Sequence, residues 1–264
     1  ADADPWVRYY VCQALGNAGD ASATAPLISL TEDPAGQVRV AAVDALAKLA
    51  TPAALDALAR AALHDDLEVR RAALAGIGLT KAPALLPLLL DASYAADTAT
   101  RLVAISGLAS FSEAAALARV CDVAHADPET SVQNAAIELL GESSAPQATV
   151  ALITLLGNAS HRTRVVSALS RHVGARSAQL SASLAEASAE VAEELVTVIT
   201  SLPSDAAERL LLAALKLSNE PARRAAVRAL RFAFDSVKTS EALARAASQD
   251  PDPEVRRVAA ARVP

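Results

Sequence analysis

The stretch DPAGQVRVAAVDAL at residues 33–46 decides the fold, because its pattern returns about every 31 residues along the 264-residue chain. The turn and the Val-Arg pair that follows it are clearest again at residues 4–8, 65–70 and 250–256. A fixed period of roughly 20 to 50 residues is typical of a repeat protein built from stacked supersecondary units. The period therefore predicts an architecture before any single residue is considered.

Apolar residues keep one spacing within every repeat. The valine of Val-Arg is position 0, and successive repeats begin there on Val7, Val38, Val69, Thr100, Val132, His161, Val191, Ala222 and Val255. Position +5 holds Cys12, Val43, Leu74, Ile105, Ile137, Val166, Val196, Val227 and Ala260. Position +8 holds Leu15, Leu46, Ile77, Leu108, Leu140, Leu169, Ile199, Leu230 and Val263. Apolar residues at offsets 0, 4, 5 and 8 lie on one face of an α-helix.

A second helical segment precedes this helix in the repeat, and several of these segments open with proline, which suits a first helical turn. The predicted segments are Ala21–Glu32, Pro52–His64, Pro83–Asp91, Ser112–Ala124, Pro146–Gly157, Ser204–Lys216 and Ser240–Ser248. Each repeat is then a helix–turn–helix unit that is too small to bury its apolar face alone. Stacking on the neighbouring repeats would stabilise it.

The recurring aspartate and arginine have a structural explanation. An aspartate before the second helix can cap its free N–H groups, and the following arginine can reach the aspartate of an adjacent repeat. We predict a ladder of such pairs, formed by Arg8, Arg39, Arg70, Arg101, Arg162, Arg223 and Arg256, which breaks at Gln133 and Ala192. The alternative is a basic strip that binds a ligand. The ladder is favoured because a binding site rarely needs the same residue in every repeat.

The turn, the Val-Arg pair and the Ala-x-x-Ala-Leu run resemble the HEAT-repeat family, specifically the bacterial HEAT-like repeats of the phycobilisome-lyase type, over essentially the whole chain. The resemblance implies an all-α solenoid, a right-handed superhelix of about nine stacked antiparallel helix pairs. First helices would lie on the convex side and second helices on the concave side. Residues 161 and 191–194 depart from the motif.

Composition agrees with one elongated domain over residues 1–264. Hydrophobic residues make up 53% of the chain and aromatic residues only 3%, so alanine and leucine would fill thin layers between helices. The chain starts at a second helix and contains no methionine, which predicts a fragment of a longer protein. An alternative is that Trp6, Tyr9 and Tyr10 form a cap or a dimer contact.

Several function classes find no support in the sequence. No apolar run reaches the roughly 20 residues of a membrane helix, and a net charge of −6 would repel nucleic acid. The four histidines lie in different repeats and none is followed by glutamate, which excludes the ligand pattern of the diiron HEAT-repeat hydroxylases. The two cysteines are too far apart to pair and have no metal spacing, which favours a reducing cytoplasm. We therefore expect no enzyme activity, no catalytic residue, no metal and no cofactor.

The exposed positions of the second helices are the candidate binding surface. Position +2 reads Tyr9, Val40, Arg71, Leu102, Asn134, Thr163, Glu193, Arg224 and Arg257, and position +6 reads Gln13, Asp44, Ala75, Ser106, Glu138, Ser167, Thr197, Arg228 and Ala261. We predict that a protein or peptide partner contacts this concave face through Tyr9, Gln13, Asp44, Arg71, Asn134, Glu138, Glu193, Arg224, Arg228 and Arg257. The charged members could instead be ordinary solvated or mutually paired side chains. The alternative function is an enzyme-associated subunit resembling a bilin lyase, or a small-ligand-binding protein.

Overall fold

The computed structural model describes residues 2–261, without the side chain of Val173, and this part of the chain is all-α. Its α-helices are α1 Pro5–Ala18, α2 Thr24–Leu30, α3 Gly36–Leu49, α4 Pro52–Ala61, α5 Leu67–Thr80, α6 Leu86–Ala92, α7 Thr98–Leu108, α8 Ala114–Ala126, α9 Thr130–Glu142, α10 Pro146–Leu155, α11 Arg162–Ser170, α12 Val173–Leu184, α13 Ala189–Thr200, α14 Ser204–Ala214, α15 Glu220–Ala233, α16 Val237–Gln249 and α17 Pro253–Ala260. Short 3₁₀ turns at Ala21–Ala23 and Pro83–Leu85 lead into α2 and α6. The odd-numbered helices are the second helices of the repeats.

The helices pack as two layers within each of two compact units, residues 1–136 and 137–264. In the first unit, α1, α3, α5 and α7 pack on one another in chain order, and α2 and α4 do the same in the other layer. In the second unit, α11, α13, α15 and α17 form one layer, and α10, α12, α14 and α16 form the other. This repeated stacking confirms the predicted all-α solenoid.

The core follows the columns read from the sequence. Side chains at position +8 are 0–1% exposed from the second repeat onward, namely Leu46, Ile77, Leu108, Leu140, Leu169, Ile199 and Leu230. Position 0 is equally buried at Val38, Val69, Val132, Ala222 and Val255. Burying one such aliphatic side chain contributes about 1.5–3 kcal/mol, so every repeat depends on the layer that it shares with its neighbours.

A few positions leave the pattern. Val7 is 42% exposed because no described helix covers that side of α1. Val166 is half-buried and Ala260 is exposed. In α13, Val191 is only half-buried and Ala192 is fully buried, whereas Val196 and Ile199 remain buried at positions +5 and +8. Val263 lies outside the described residues.

Side-chain caps and left-handed residues set where the second helices begin and end. Asp66, Asp97 and Asp252 each accept a backbone N–H bond at the start of their helix. At the other end, α1, α3 and α5 are followed by Gly19, Ala50 and Lys81, whose φ angles are 70°, 48° and 51°. These three residues are 31 positions apart, so the backbone repeats its turn even where the side chain changes.

Candidate functional site

Several arginines at position +1 each bind two neighbouring loops at once. In the first link, Arg8 Nε and Nη2 donate to the two carboxylate oxygens of Asp33 at 2.7 and 2.8 Å, and its Nη1 donates to the carbonyls of Asp2 and Ala3. Arg101 repeats this geometry with Asp127 at 2.9 and 3.0 Å. Arg223 does so with Asp250 at 3.0 Å. Each guanidinium therefore joins the loop before its own helix to the loop of the next repeat.

The other predicted ladder arginines differ from one another in the groups to which they donate. Arg39 pairs with Asp66, and Arg162 pairs with Glu190. Arg70 donates to the carbonyl of His64, while Asp97, the carboxylate of the next repeat, is bound by Arg71 instead. Arg256 donates to the carbonyls of Asp250 and Pro251.

The two exceptions in the column have different solutions. The Gln133 amide donates to the Asp127 carbonyl at 2.8 Å, as the arginines donate to carbonyls of their own loop. At Ala192 the direction of the link is reversed. The Asn219 amide of the next repeat donates to the carbonyls of Leu184 and Ala187 at 2.9 and 3.0 Å. An amide donor thus replaces the missing guanidinium.

Two of the predicted partner-binding arginines form a second set of links. Arg71 pairs with Asp97 at 2.7 Å, and Arg224 pairs with Asp252 at 2.6 Å. Both carboxylates also cap the next second helix. Hydrogen bonds from Thr100, together with the Arg71 guanidinium, lower the pKa of Asp97 to about 2. These arginines therefore hold adjacent repeats together on the face where a partner was predicted.

Most of the remaining charged candidates are also paired within the chain. Glu138 binds Arg164 at 2.8 Å and also Arg171. Glu193 pairs with Arg228, which reaches Glu254 at 2.9 Å, and Glu254 is 3.3 Å from Arg257. The charge differences along this face are thus largely balanced between neighbouring helices. Exposed ion pairs of this kind contribute little to stability, about 0–1 kcal/mol each.

The other predicted residues keep accessible polar or aromatic groups. Tyr9 stacks edge-to-face between Trp6 and Tyr10, and its hydroxyl accepts a hydrogen bond from Gln13 at 2.8 Å. Asp44 is exposed, and Asn134 is half-buried. No ion pair involves Asp44 within residues 2–261. The polar surface available to a partner is therefore smaller than the sequence predicted.

Two features were not predicted from the sequence. Arg176 on α12 is fully buried and donates to the carbonyls of Ala168, Leu140, Gly141 and Ser143 at 2.6–3.0 Å. It thereby caps the ends of α9 and α11, but it belongs to no repeated motif that could reveal it. The second feature is an apolar trough between α5 and α7 around Leu79 and Leu102. The sequence does carry a signal for it, since Leu79 and Leu102 occupy positions that are polar or charged in most of the other repeats.

Among residues 2–261, no three His, Cys, Asp or Glu side chains are placed to hold a metal ion. Burial raises the thiol pKa values of Cys12 and Cys121, which makes thiolate chemistry less favourable. In the same part of the chain, every helix is too short or too polar to cross a bilayer.

Comparisons with known proteins identify the family to which this repeat pattern corresponds. A family model described as HEAT repeats matches residues 1–78, 62–140, 82–170 and 177–262. No curated protein sequence matches the chain.

Solved structures match it at low sequence identity. A chain of a homology model of the full-length AP-3 complex in an intermediate open conformation matches with a TM-score of 0.58 and 16% identity over 97% of this chain and 54% of that one. YibA of Escherichia coli matches with a TM-score of 0.50 and 17% identity over 85% and 87%. The complex of CpcE and CpcF of phycocyanin lyase from Nostoc matches with a TM-score of 0.47 and 18% identity over 85% and 88%. The chain spans about half of the AP-3 chain, and at these identities the likeness concerns the fold.

Proposed function

Because this chain belongs to the HEAT-repeat family, we propose that it is a non-catalytic scaffold that binds a protein or peptide on the face formed by its odd-numbered helices. The proposal places it in a bacterial cytoplasm and assigns it no cofactor and no nucleic acid. The fold alone supports many roles, so the proposal depends on the surface of this particular chain.

The observation that carries the proposal is a contrast between columns of the same helices. Position +8 holds a leucine or isoleucine that is almost fully buried in repeat after repeat. Positions +2 and +6 are half-buried or exposed among the described residues and hold apolar, polar, acidic and basic side chains in different repeats. A surface of this kind offers many separate contacts along an extended partner. Such contacts give specificity through complementary shape and charge.

Charge reversal on opposite layers tests the proposal. The full chain is used as bait to capture partners, and the variants Asp44→Lys and Arg257→Glu alter exposed residues of odd-numbered helices. Asp56→Lys on α4 and Arg209→Glu on α14 are matched controls in the other layer. We expect the first pair to weaken capture of a given partner at least tenfold and the controls to leave it unchanged.

The reverse result would contradict the proposal. If the controls weaken capture and Asp44→Lys and Arg257→Glu do not, the partner binds the even-numbered helices. Circular dichroism of all four variants checks that each one remains folded.

A further inference from the structure

The surface between α5 and α7 differs from its neighbours along the same layer. An open trough of about 350 Å³ is lined here by Ala75, Gly78, Leu79, Leu102, Val103, Ser106, Gly107 and Ser110. None of these residues is charged. Leu79 is 74% exposed, and Leu102 and Val103 are half-buried. An apolar surface of this kind on a folded chain often marks an interaction site.

Equivalent positions elsewhere show that packing does not require this composition. Two repeats earlier, between α1 and α3, the positions of Ala75, Leu79 and Ser106 hold Gln13, Asn17 and Asp44, and Lys48 there donates to Asn17 at 2.7 Å. Between α13 and α15, the corresponding column contains Arg224 and Arg228. The leucines of the trough therefore stand where the fold accepts polar and charged residues.

Two glycines make the floor of the trough. A Cβ atom added to Gly78 would lie 2.7 Å from the Gly107 Cα, so α5 and α7 are in direct backbone contact at this point. Ala75, Ser106 and Ser110 are the small exposed residues around this contact. A helix of a partner can approach closely over such small side chains, as an amphipathic helix does in an apolar groove.

A carboxylate lies one repeat along the layer from this floor. Asp44 occupies on α3 the position that Ala75 occupies on α5, and neighbouring helices of a layer are about 10 Å apart. Asp44 is exposed and forms no salt bridge among residues 2–261, although Lys48, one turn along α3, interacts with it electrostatically. Glu138 and Glu193, the other predicted acidic contacts, are both held in salt bridges. Desolvation raises the pKa of Asp44 and the Lys48 ammonium only partly offsets this, so a bound cation would act in the same direction as Lys48.

We propose that the trough and Asp44 together bind an amphipathic helix of another protein, which carries a large aliphatic anchor and a lysine or arginine about seven residues from it. Seven residues of α-helix span about 10 Å and return to the same face, which matches the repeat spacing. The anchor contacts Leu79 and Leu102, and the cation pairs with Asp44. The inference rests on the proposed function and names the partner's chemistry.

Labelled model peptides test the inference. Three 18-residue helical peptides of otherwise identical composition carry a leucine anchor with a lysine seven positions on, the same leucine with the lysine on the opposite helix face, or a glutamate in place of the lysine. Binding to the intact chain is measured by fluorescence anisotropy. We expect the first peptide to bind at least tenfold more tightly than the other two.

Protein variants separate the two parts of the site. Leu79→Ser should weaken binding of the first peptide at least tenfold, and Asp44→Asn should remove the preference among the three peptides. Phe232→Ser is the matched control, because Phe232 is 82% exposed and occupies the position of Leu79 in another repeat. It should leave binding unchanged. Because both apolar side chains are exposed, we expect all variants to fold.

Several outcomes would overturn the inference. They are a lack of saturable binding below about 1 mM, equal binding of the three peptides, or equal effects of Leu79→Ser and Phe232→Ser. Self-association of the chain that Leu79→Ser abolishes would show that the trough takes a second copy instead. If a captured partner depends on the odd-numbered helices but ignores Leu79, the proposed function stands and this inference fails.

Discussion

At the scale of single residues, the links between repeats are matched sets of donors and acceptors. At Arg101 and Arg223, both at position +1, a carboxylate of the next repeat accepts the guanidinium. Where Ala192 removes the arginine, the corresponding residue is Asn219, whose amide donates to the loop carbonyls directly. Ala192 and Asn219 are therefore a matched pair, because the amide of Asn219 supplies the hydrogen bonds that an arginine at position 192 would otherwise make.

This coupling predicts the effect of Asn219→Asp. The new carboxylate would face the carbonyl oxygens of Leu184 and Ala187 without a donor, so we expect a loss of about 1–3 kcal/mol in the free energy of unfolding at neutral pH. Repulsion from the carbonyls raises the folded-state pKa of this carboxyl group, so the loss should shrink as pH falls below it. Urea unfolding at pH 7 and pH 3 measures both effects. An Asn134→Asp variant is the control, and an equal loss in that variant would contradict the explanation.

The low pKa of Asp97 predicts how acid affects the fold. Its folded-state value of about 2 lies below that of an unfolded aspartate, so the stabilisation is fully present above about pH 4 and disappears as pH falls towards 2. Asp97→Asn keeps a capping oxygen but loses the charge. It should lower stability at neutral pH and flatten the decline between pH 4 and 2, as followed by urea midpoints. The exposed Asp65→Asn is the matched control, and an unchanged acid profile for Asp97→Asn would refute the assignment.

At the scale of helices, the positions that end α1, α3 and α5 show what sequence can and cannot reveal. Gly19 is the residue expected for a left-handed turn, because glycine has no Cβ to restrict a positive φ angle. Ala50 and Lys81 adopt nearly the same backbone conformation although each carries a Cβ. The stacked repeats impose this turn because every second helix must end in the same place. A left-handed alanine costs roughly 1 kcal/mol, which the packing of the helix offsets.

Ala50→Gly should therefore stabilise the protein. Removing the Cβ at φ 48° relieves the left-handed strain, and we expect a gain of about 0.5–1 kcal/mol in the free energy of unfolding. Ala62, which ends α4 with φ −66°, is the matched control, because glycine there only increases the freedom of the unfolded chain. Thermal and urea unfolding compare the two variants. A gain from Ala62→Gly, or a loss from Ala50→Gly, would contradict the argument.

The buried columns could be predicted because packing imposes the same requirement in every repeat. Leu46 and Ile77 are fully buried, as their spacing indicates. The pairing of exposed charges could not be predicted, since partners such as Glu193 and Arg228 are 35 residues apart and any of several arginines could have reached that glutamate. Arg176 was missed for a related reason. Its four acceptors are backbone carbonyls, and these leave no trace in side-chain patterns.

At the scale of the whole molecule, stability is a sum over neighbouring repeats. Leu46 on α3 is fully buried, and α3 packs against α1, α2, α4 and α5. Leu46→Ala should cost about 2–5 kcal/mol locally. In hydrogen exchange, we expect protection to fall in α1–α5 and to persist in α13–α17. A uniform loss along the chain would instead indicate a single cooperative unit.

The links between loops also bear on how such a chain can grow by gene duplication. The repeat that contains Arg101 donates a guanidinium to the next repeat and offers a carboxylate to the arginine of the previous one. A tandem copy of it would therefore carry both the donor and the acceptor of the link, and could be inserted beside the original. The Ala192–Asn219 junction lacks this property, because an asparagine offers a neighbouring arginine no counter-charge. Copying or recombining repeats across that junction would require both residues to change together. We therefore expect the Ala192–Asn219 junction to stay unchanged while the number of repeats on either side of it varies.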